Sequence, residues 1–233
     1  MPGLLTPSRQ RGIEYLDSPD VDPALRQRSH RDIRLSNTLF GGLRAFLLEF
    51  ERIVPDLPQR ATLLDIGTGA GDMPAQSVQL ARRHGIELTA IGLDAVPALV
   101  VSTTRRIPLG VCAHALALPF AARSIDVVCC SQLLHHFDDA NALIALGELH
   151  RVARRYVIVS DLRRNWLAVA GLWGASFPLG FHPVSRHDGV VSILRGFTIE
   201  ELRALVRRAV GVDADVRARL GFRITATWAA VTS

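Results

Sequence analysis

The 233-residue sequence predicts an α/β protein: a mostly parallel sheet with helices on both faces, closed by an antiparallel hairpin. Three observations carry this. The apolar run Leu63-Leu64-Asp65-Ile66 reads as a buried strand, ends in glycines at alternate positions (Gly67, Gly69, Gly71), and leads into a helical pattern. Strand, glycine loop and helix in that order form the unit of an open α/β sheet, whose ligands bind at the carboxyl ends of the strands. Further strand-like runs then alternate with helical patterns along the chain. Finally, 212–220 and 223–231 read as two strands turning at Gly221, an ending unlike that of a standard dinucleotide domain.

Composition narrows the classes of function. The length suits one large domain with a sizeable core, and 48% apolar with 21% charged residues is ordinary for a globular protein. All 27 basic residues are arginine, so no mechanism that needs a lysine is open to this chain. The net charge of +5 is spread over scattered Arg pairs rather than one block, so the reading is a solvated surface and no nucleic-acid partner. Cys112, Cys129 and Cys130 fall in apolar runs and read as buried reduced thiols, without metal spacing; no metal is expected. The N-terminus shows no signal pattern, which predicts a cytoplasmic protein. Residues 165–181 lack charge, but Pro178 and several glycines interrupt them, and they are too short to span a membrane.

In chain order, residues up to about 19 read as a loose polar arm. Residues 22–50 turn helical, with Leu39, Phe40, Leu43, Phe46, Leu47 and Phe50 on one stripe that Gly41-Gly42 divides. The first strand covers 62–66 and its helix 74–83, with Pro74 in the first turn. The second strand, 88–93, ends at Asp94, an acid placed to accept bonds from ribose hydroxyls. A third strand spans 111–115 and a fourth 125–131, followed by Leu133-Leu134-His135-His136 and a helix over 140–152. The fifth strand, 156–160, ends at Asp161, so His135 or His136 can converge with Asp161 on the carboxyl edge. Residues 162–196 depart from the minimal fold. They hold an apolar helical stretch with Trp166 and Trp173, an irregular piece at 177–181, a polar turn at 185–189 with Arg186 and His187, and then Arg195. Thr198 and Glu201 make a capping box that opens a helix to about residue 210.

The glycine spacing is not the Gly-x-Gly-x-x-Gly dinucleotide fingerprint, because position 72 is Asp. Gly67-x-Gly69-x-Gly71 behind Asp65 instead resembles motif I of class I S-adenosylmethionine (SAM)-dependent methyltransferases. The Leu118-Pro119-Phe120 and Leu134-His135-His136 segments resemble the family too, so that the likeness runs over about 63–231. It is closest in type to quinone-biosynthesis and small-molecule methyltransferases. It implies a Rossmann-like, seven-stranded sheet with the terminal hairpin. It divides the chain into an N-terminal helical arm or lid (1–60) and a methyltransferase domain (61–233) with a substrate cap at about 162–197.

The resemblance also implies SAM as cofactor. Asp65 would lie near its ammonium, with Gly67, Thr68, Gly69 and Gly71 along the methionine part and Asp94 and Ala95 on the ribose. His114 and Ala115 would flank adenine, with His114 standing where the family carries an acid. Ser131 and Gln132 would lie near the sulfonium. For a hydroxyl acceptor the expected base is His135, oriented by Asp161, with His136 as the alternative. Trp166, Trp173, Arg186, His187 and Arg195 are the candidate acceptor contacts, and a small apolar or aromatic acceptor is the expected partner. C-methylation, an RNA methyltransferase, a NAD-dependent oxidoreductase and a non-catalytic SAM-binding protein are the competing readings. The stretch 166–181 stays open between cap, homodimer interface and membrane contact.

Overall fold

The sheet is built outward from β1 (Arg60–Ile66), whose alternate and then continuous burial marks a strand covered on both faces. The structure, a computed structural model, describes residues 5–10, 12–18 and 20–230. Before β1 come α1 (Pro23–Leu39) and α2 (Gly42–Ile53), separated by Gly41 in the left-handed conformation (φ 73°). The break anticipated at Gly41-Gly42 is therefore the corner between two helices. After β1 follow α3 (Asp72–Arg83), β2 (Glu87–Asp94), α4 (Pro97–Thr103), β3 (Leu109–Cys112), β4 (Ile125–Ser131), α5 (Asp139–Val152) and β5 (Ala153–Leu162). The chain ends with α6 (Trp166–Ser176), α7 (Pro183–Arg195), α8 (Ile199–Val210), β6 (Asp215–Arg219) and β7 (Arg223–Ala229).

The seven strands lie in the order β3-β2-β1-β4-β5-β7-β6. All neighbours are parallel except that β7 runs antiparallel to both β5 and β6. Because β7 runs backwards, its first residue, Arg223, stands beside Leu162 at the same edge as the ends of β4 and β5. One core, under α5 and α8, takes Leu64, Ile66, Val128, Leu146, Phe197 and Ile224. The opposite face packs Leu63, Val127 and Ile158 against Phe46 and Phe50 of α2. A buried carboxylate, Glu49, fixes α2 to the hairpin by accepting from Thr225 Oγ1 (2.6 Å) and pairing with Arg52 and Arg219. Burial opposes its ionisation, but these partners hold it below the usual carboxylate range.

Several sequence expectations shift. The third strand lies earlier, over Leu109–Cys112, and the fifth is longer at both ends. α4 was not anticipated; Pro97 at its first turn is the signal that opens it. Cys112 is exposed rather than buried, since β3 is the sheet's edge, while Cys129 and Cys130 are buried. The polar turn expected at 185–189 is instead the middle of α7. His182 caps that helix by accepting from Val184 N, and Pro183 starts it. Its Asp188 is buried because it accepts from the backbone N–H groups of Tyr15 and Leu16, 2.9 Å each. Gly189 lies so close to Leu172 that a Cβ there would come within 2.6 Å, which packs α7 tightly on α6. The expected strand end at residue 231 lies outside the described residues.

The arm before α1 is not loose where it is described. Pro7 O accepts from buried Arg164 (2.8 Å), Leu5 O from Trp166 N, and Gln10 N donates to Leu194 O. Arg164 also donates to Gly196 O and pairs with Glu201 at 2.6 Å, so one guanidinium ties arm, α7 and α8 together. The capping box of Thr198 and Glu201 is present.

Candidate active site

Two clusters sit on the carboxyl edge of the sheet. The first surrounds the loop after β1. Gly67, Gly69 and Gly71 all have positive φ (72°, 57° and 75°), a conformation that disfavours other residues. A Cβ on Gly67 would meet Leu133 at 3.1 Å and one on Gly71 would meet Thr103 at 3.2 Å, whereas one on Gly69 would project into open space. Gly69 is thus where the loop offers bare backbone outward. Asp94 at the end of β2 accepts from Gly69 N and Val96 N, 3.0 Å each, and so ties the strand end to the loop. A carboxylate has about four acceptor positions, so further bonds to hydroxyls remain open to it.

Asp65 is fully buried under this loop. Burial pushes its carboxyl up to about 7 against the pull of the Thr68 hydroxyl and the Cys129 thiol, while the negative charge of Asp94 raises it further. Among the described residues no cationic side chain pairs with it. A buried carboxylate with no internal cation, below a loop of outward backbone, fits a ligand that brings its own positive charge. Gln132, just past β4, holds a strained left-handed backbone (φ 52°), with its N–H donating to Ser160 O and its amide oxygen accepting from Arg223. Ser131 ends β4 beside it. Ala115 is buried and Ala95 exposed. His114 is exposed and accepts from Leu116 N at 3.2 Å, its ring 6.2 Å from Phe137.

The second cluster lies above β4 and β5. His135 and Asp161 are both buried, with His135 Nδ1 2.6 Å from Asp161 Oδ1 and the His135 backbone N–H donating to Oδ2. Burial alone would raise the Asp161 carboxyl, yet the facing His135 ring and the Leu162 N–H hold it below the usual carboxylate range. An ionised Asp161 keeps the proton on Nδ1 and leaves the lone pair on Nε2. That Nε2 is buried and has no hydrogen-bond partner among the described residues.

His135 forms part of the wall of a cavity of about 220 Å³, together with His136, Phe137, Arg195 and, from the arm, Arg9, Gly12 and Ile13. The His136 ring lies 4.2 Å from that of His135. Glu14, buried beside them, pairs with Arg195 Nη1 (2.9 Å) and accepts from Ser192 Oγ (2.8 Å). Glu14, His135 and His136 place ligand-type atoms within 4.8 Å of one another, and the Arg195 guanidinium supplies a positive charge at the carboxylate.

Of the five acceptor contacts expected from sequence, Arg195 lines this cavity and four do not. Trp166 and Trp173 are exposed on α6, Arg186 lies over the Phe177 ring at 3.7 Å, and His187 stacks near Tyr15. Sequence reasoning missed Arg9, Gly12, Ile13 and Glu14. They sit in a stretch without periodicity, and their partners lie about 180 residues away.

Comparison with known proteins agrees with this fold. Residues 64–159 match the protein family described as "Methyltransferase domain". No curated protein matches the sequence. Among solved structures, magnesium protoporphyrin IX methyltransferase from Synechocystis PCC 6803 with bound SAM is 13% identical (TM-score 0.54), over 93% of this chain and 88% of that one. A SAM-dependent methyltransferase from Aquifex aeolicus is 16% identical (TM-score 0.53), over 78% and 89%. The plantazolicin methyltransferase BamL, complexed with a triazolic desmethylPZN analog and SAH, is 15% identical (TM-score 0.60), over 84% and 71%. With its motif I loop and its strand order, the chain has the Rossmann-like methyltransferase fold and carries a SAM-dependent methyltransferase domain over 64–159.

Proposed function

We propose that this enzyme O-methylates a small, neutral, hydroxylated acceptor of apolar or aromatic character, with His135 as general base and Asp161 as the group that orients it. One observation carries the reading: a buried His135–Asp161 pair at 2.6 Å whose other ring nitrogen, Nε2, has no hydrogen-bond partner among the described residues. Bound SAM supplies an electrophilic methyl group on a sulfonium. The chain's own part is to hold both reactants and to take one proton. Asp65 receives the cofactor's ammonium, and Gly67, Thr68, Gly69 and Gly71 its methionine part. Asp94 and Ala95 take the ribose, His114 and Ala115 flank the adenine, and Ser131 and Gln132 line the path toward β4. Positioning in a site shielded from water supplies much of the acceleration. His135 Nε2 accepts the hydroxyl proton, and Asp161 stabilises the imidazolium that results. His136, exposed and next to Arg195 rather than Asp161, is given a lining role. The cavity wall sets the polar side chains of Arg9, His135, His136 and Arg195 beside Ile13 and Phe137, which suits a small organic acceptor with a hydroxyl to hold and a ring to pack.

The test is turnover of a panel of phenols, quinols and hydroxylated polyketides by His135→Ala and Asp161→Asn. With SAM affinity held within about twofold, kcat should fall about 10²-fold or more in each. Full turnover in both variants would rule out the dyad and favour a carbon acceptor that its own ring activates.

A further inference from the structure

α6 is inverted relative to an ordinary surface helix. A helix at the edge of a soluble domain buries an apolar stripe and turns charged or polar residues outward. Here the buried side is Ala168, Leu172 and Ser176, and the exposed side is Trp166, Leu167, Ala170, Trp173 and Phe177. The large members of that side are 44% (Trp166), 53% (Leu167), 54% (Trp173) and 49% (Phe177) exposed. At about 100° per residue they fall on one continuous arc, with glycines 171 and 174 the remaining exposed positions. Two of the chain's three tryptophans are therefore in contact with solvent on one apolar face; the third, Trp228, is buried. Exposed Leu5 adjoins this face, since its carbonyl accepts from Trp166 N.

The charges around the face have one sign. Residues 163–187 contain no acid. Arg186 stacks on Phe177, and Arg28 reaches Gly180 O at the same end. The acids nearest in the packed helices are turned inward: Asp32 is buried and accepts from His182 N and Ser185 Oγ, and Asp188 holds the arm.

We propose that the exposed face of α6 docks on the surface of an anionic lipid bilayer, with Trp166, Leu167, Trp173 and Phe177 entering the interfacial region and Arg28 and Arg186 on lipid phosphates. Aromatic rings with a polar edge prefer the bilayer interface, and a basic rim adds attraction to anionic headgroups. No helix among the described residues is long and apolar enough to cross a membrane, so the contact is with one leaflet. A second copy is the weaker occupant. A two-fold interface sets the same patch against itself, which would face Arg28 and Arg186 with their own copies and no acid to answer them. α7 carries Arg195 of the cavity on one side and packs Gly189 on Leu172 of α6 on the other, so a single helix separates bilayer contact and acceptor cavity. The proposal does not depend on which acceptor is methylated.

The experiment is flotation of the full chain with vesicles of phosphatidylcholine alone and of phosphatidylcholine with 30% phosphatidylglycerol, followed by tryptophan emission. The expected result is co-flotation with the anionic vesicles, a blue-shifted emission, and quenching by brominated acyl chains. Trp166→Ser with Trp173→Ser should reduce binding at least tenfold, and Arg28→Gln with Arg186→Gln should weaken it and remove its salt dependence. Far-UV circular dichroism and melting midpoints equal to those of the wild-type chain separate lost docking from lost fold. Absence of flotation, flotation that survives the tryptophan variants, or a stable dimer that those variants abolish would each overturn the proposal.

Discussion

The two halves of the carboxyl edge handle charge in opposite ways. Under the glycine loop, Asp65 is buried with no cation beside it among the described residues, and its neighbour Asp94 adds more negative charge. Above β4 and β5, the buried ionisable groups have partners inside the chain: Asp161 the His135 ring, Glu14 the Arg195 guanidinium, Arg164 the Glu201 carboxylate. An isolated buried charge is costly and a paired one less so. The donor half is therefore incomplete without a cationic ligand, while the acceptor half is electrostatically self-contained. This difference supports the proposed reading of a charged methyl donor and a neutral acceptor.

The sharpest way to break the comparison is at Asp65. Its carboxyl is raised to about 7 from an ordinary value of 3.8, so between those limits the folded state holds a proton that the unfolded state has lost. Its contribution to stability is thus fully present below about pH 4 and is lost as the pH rises through 7. A shift of this size corresponds to about 4 kcal/mol as an order of magnitude. A ligand ammonium needs the ionised form, so SAM affinity should increase from pH 5 to about 7, until the ligand's amino group itself begins to lose its proton near about pH 8. Asp65→Asn should lower SAM affinity about 100-fold or more and flatten that pH profile. The same change should raise the melting midpoint of the ligand-free protein at pH 8. Calorimetric titration across pH, with thermal melts beside it, reads all three. A variant with unchanged affinity would end the assignment of Asp65 to the donor.

A smaller effect is expected on the acceptor side. Arg195→Met leaves Glu14 without its cation while the cavity wall loses one polar contact. The KM for the acceptor should rise about tenfold with SAM affinity unchanged, because no member of the glycine loop touches this pair. If SAM affinity falls in step, the two halves are not electrostatically separate.

The donor half was legible because its signals are local. Gly67 to Gly71 follow Leu63 to Ile66 directly, and Asp94 sits at the end of the next strand; few residues intervene, and both backbone sign and burial follow from position. His135 and Asp161 were legible for the same reason, each at the end of a readable strand. The acceptor half was not, since Glu14 and Asp188 acquire meaning only through bonds spanning some 175 residues. Asp188 within Ser185-Arg186-His187-Asp188-Gly189 carries turn-like composition, yet its polarity serves the arm rather than solvent. Trp166 and Trp173 misled in a different way. Their apolar periodicity is real, but it describes the outer face of α6, and periodicity alone does not tell which face is buried.

The finest test concerns Glu201, which lies at the boundary between the arm and the core. Burial works against its ionisation, but Arg164 and the Thr198 N–H hold it below the usual carboxylate range. A depressed carboxylate stabilises at pH above its unfolded value near 4.5, and that contribution is lost as the pH falls through the lower folded value. Its direction is opposite to that of Asp65. Glu201→Gln keeps the size of the side chain but removes the charge from the buried Arg164 that also holds Pro7 O and Gly196 O. The arm should then open more often while the glycine loop does not. Hydrogen exchange at Gln10, Tyr15 and Leu16, whose N–H groups bond to Leu194 and Asp188, should speed up about tenfold at pH 7. Gly67 and Thr68, both bonded to Leu93 O, should exchange at the wild-type rate. At pH below the folded value, wild type and variant should converge, since both then lack the charge. Equal acceleration at both sets of amides would mean that arm and loop open as one unit, and the division of the edge into two independent halves would fail.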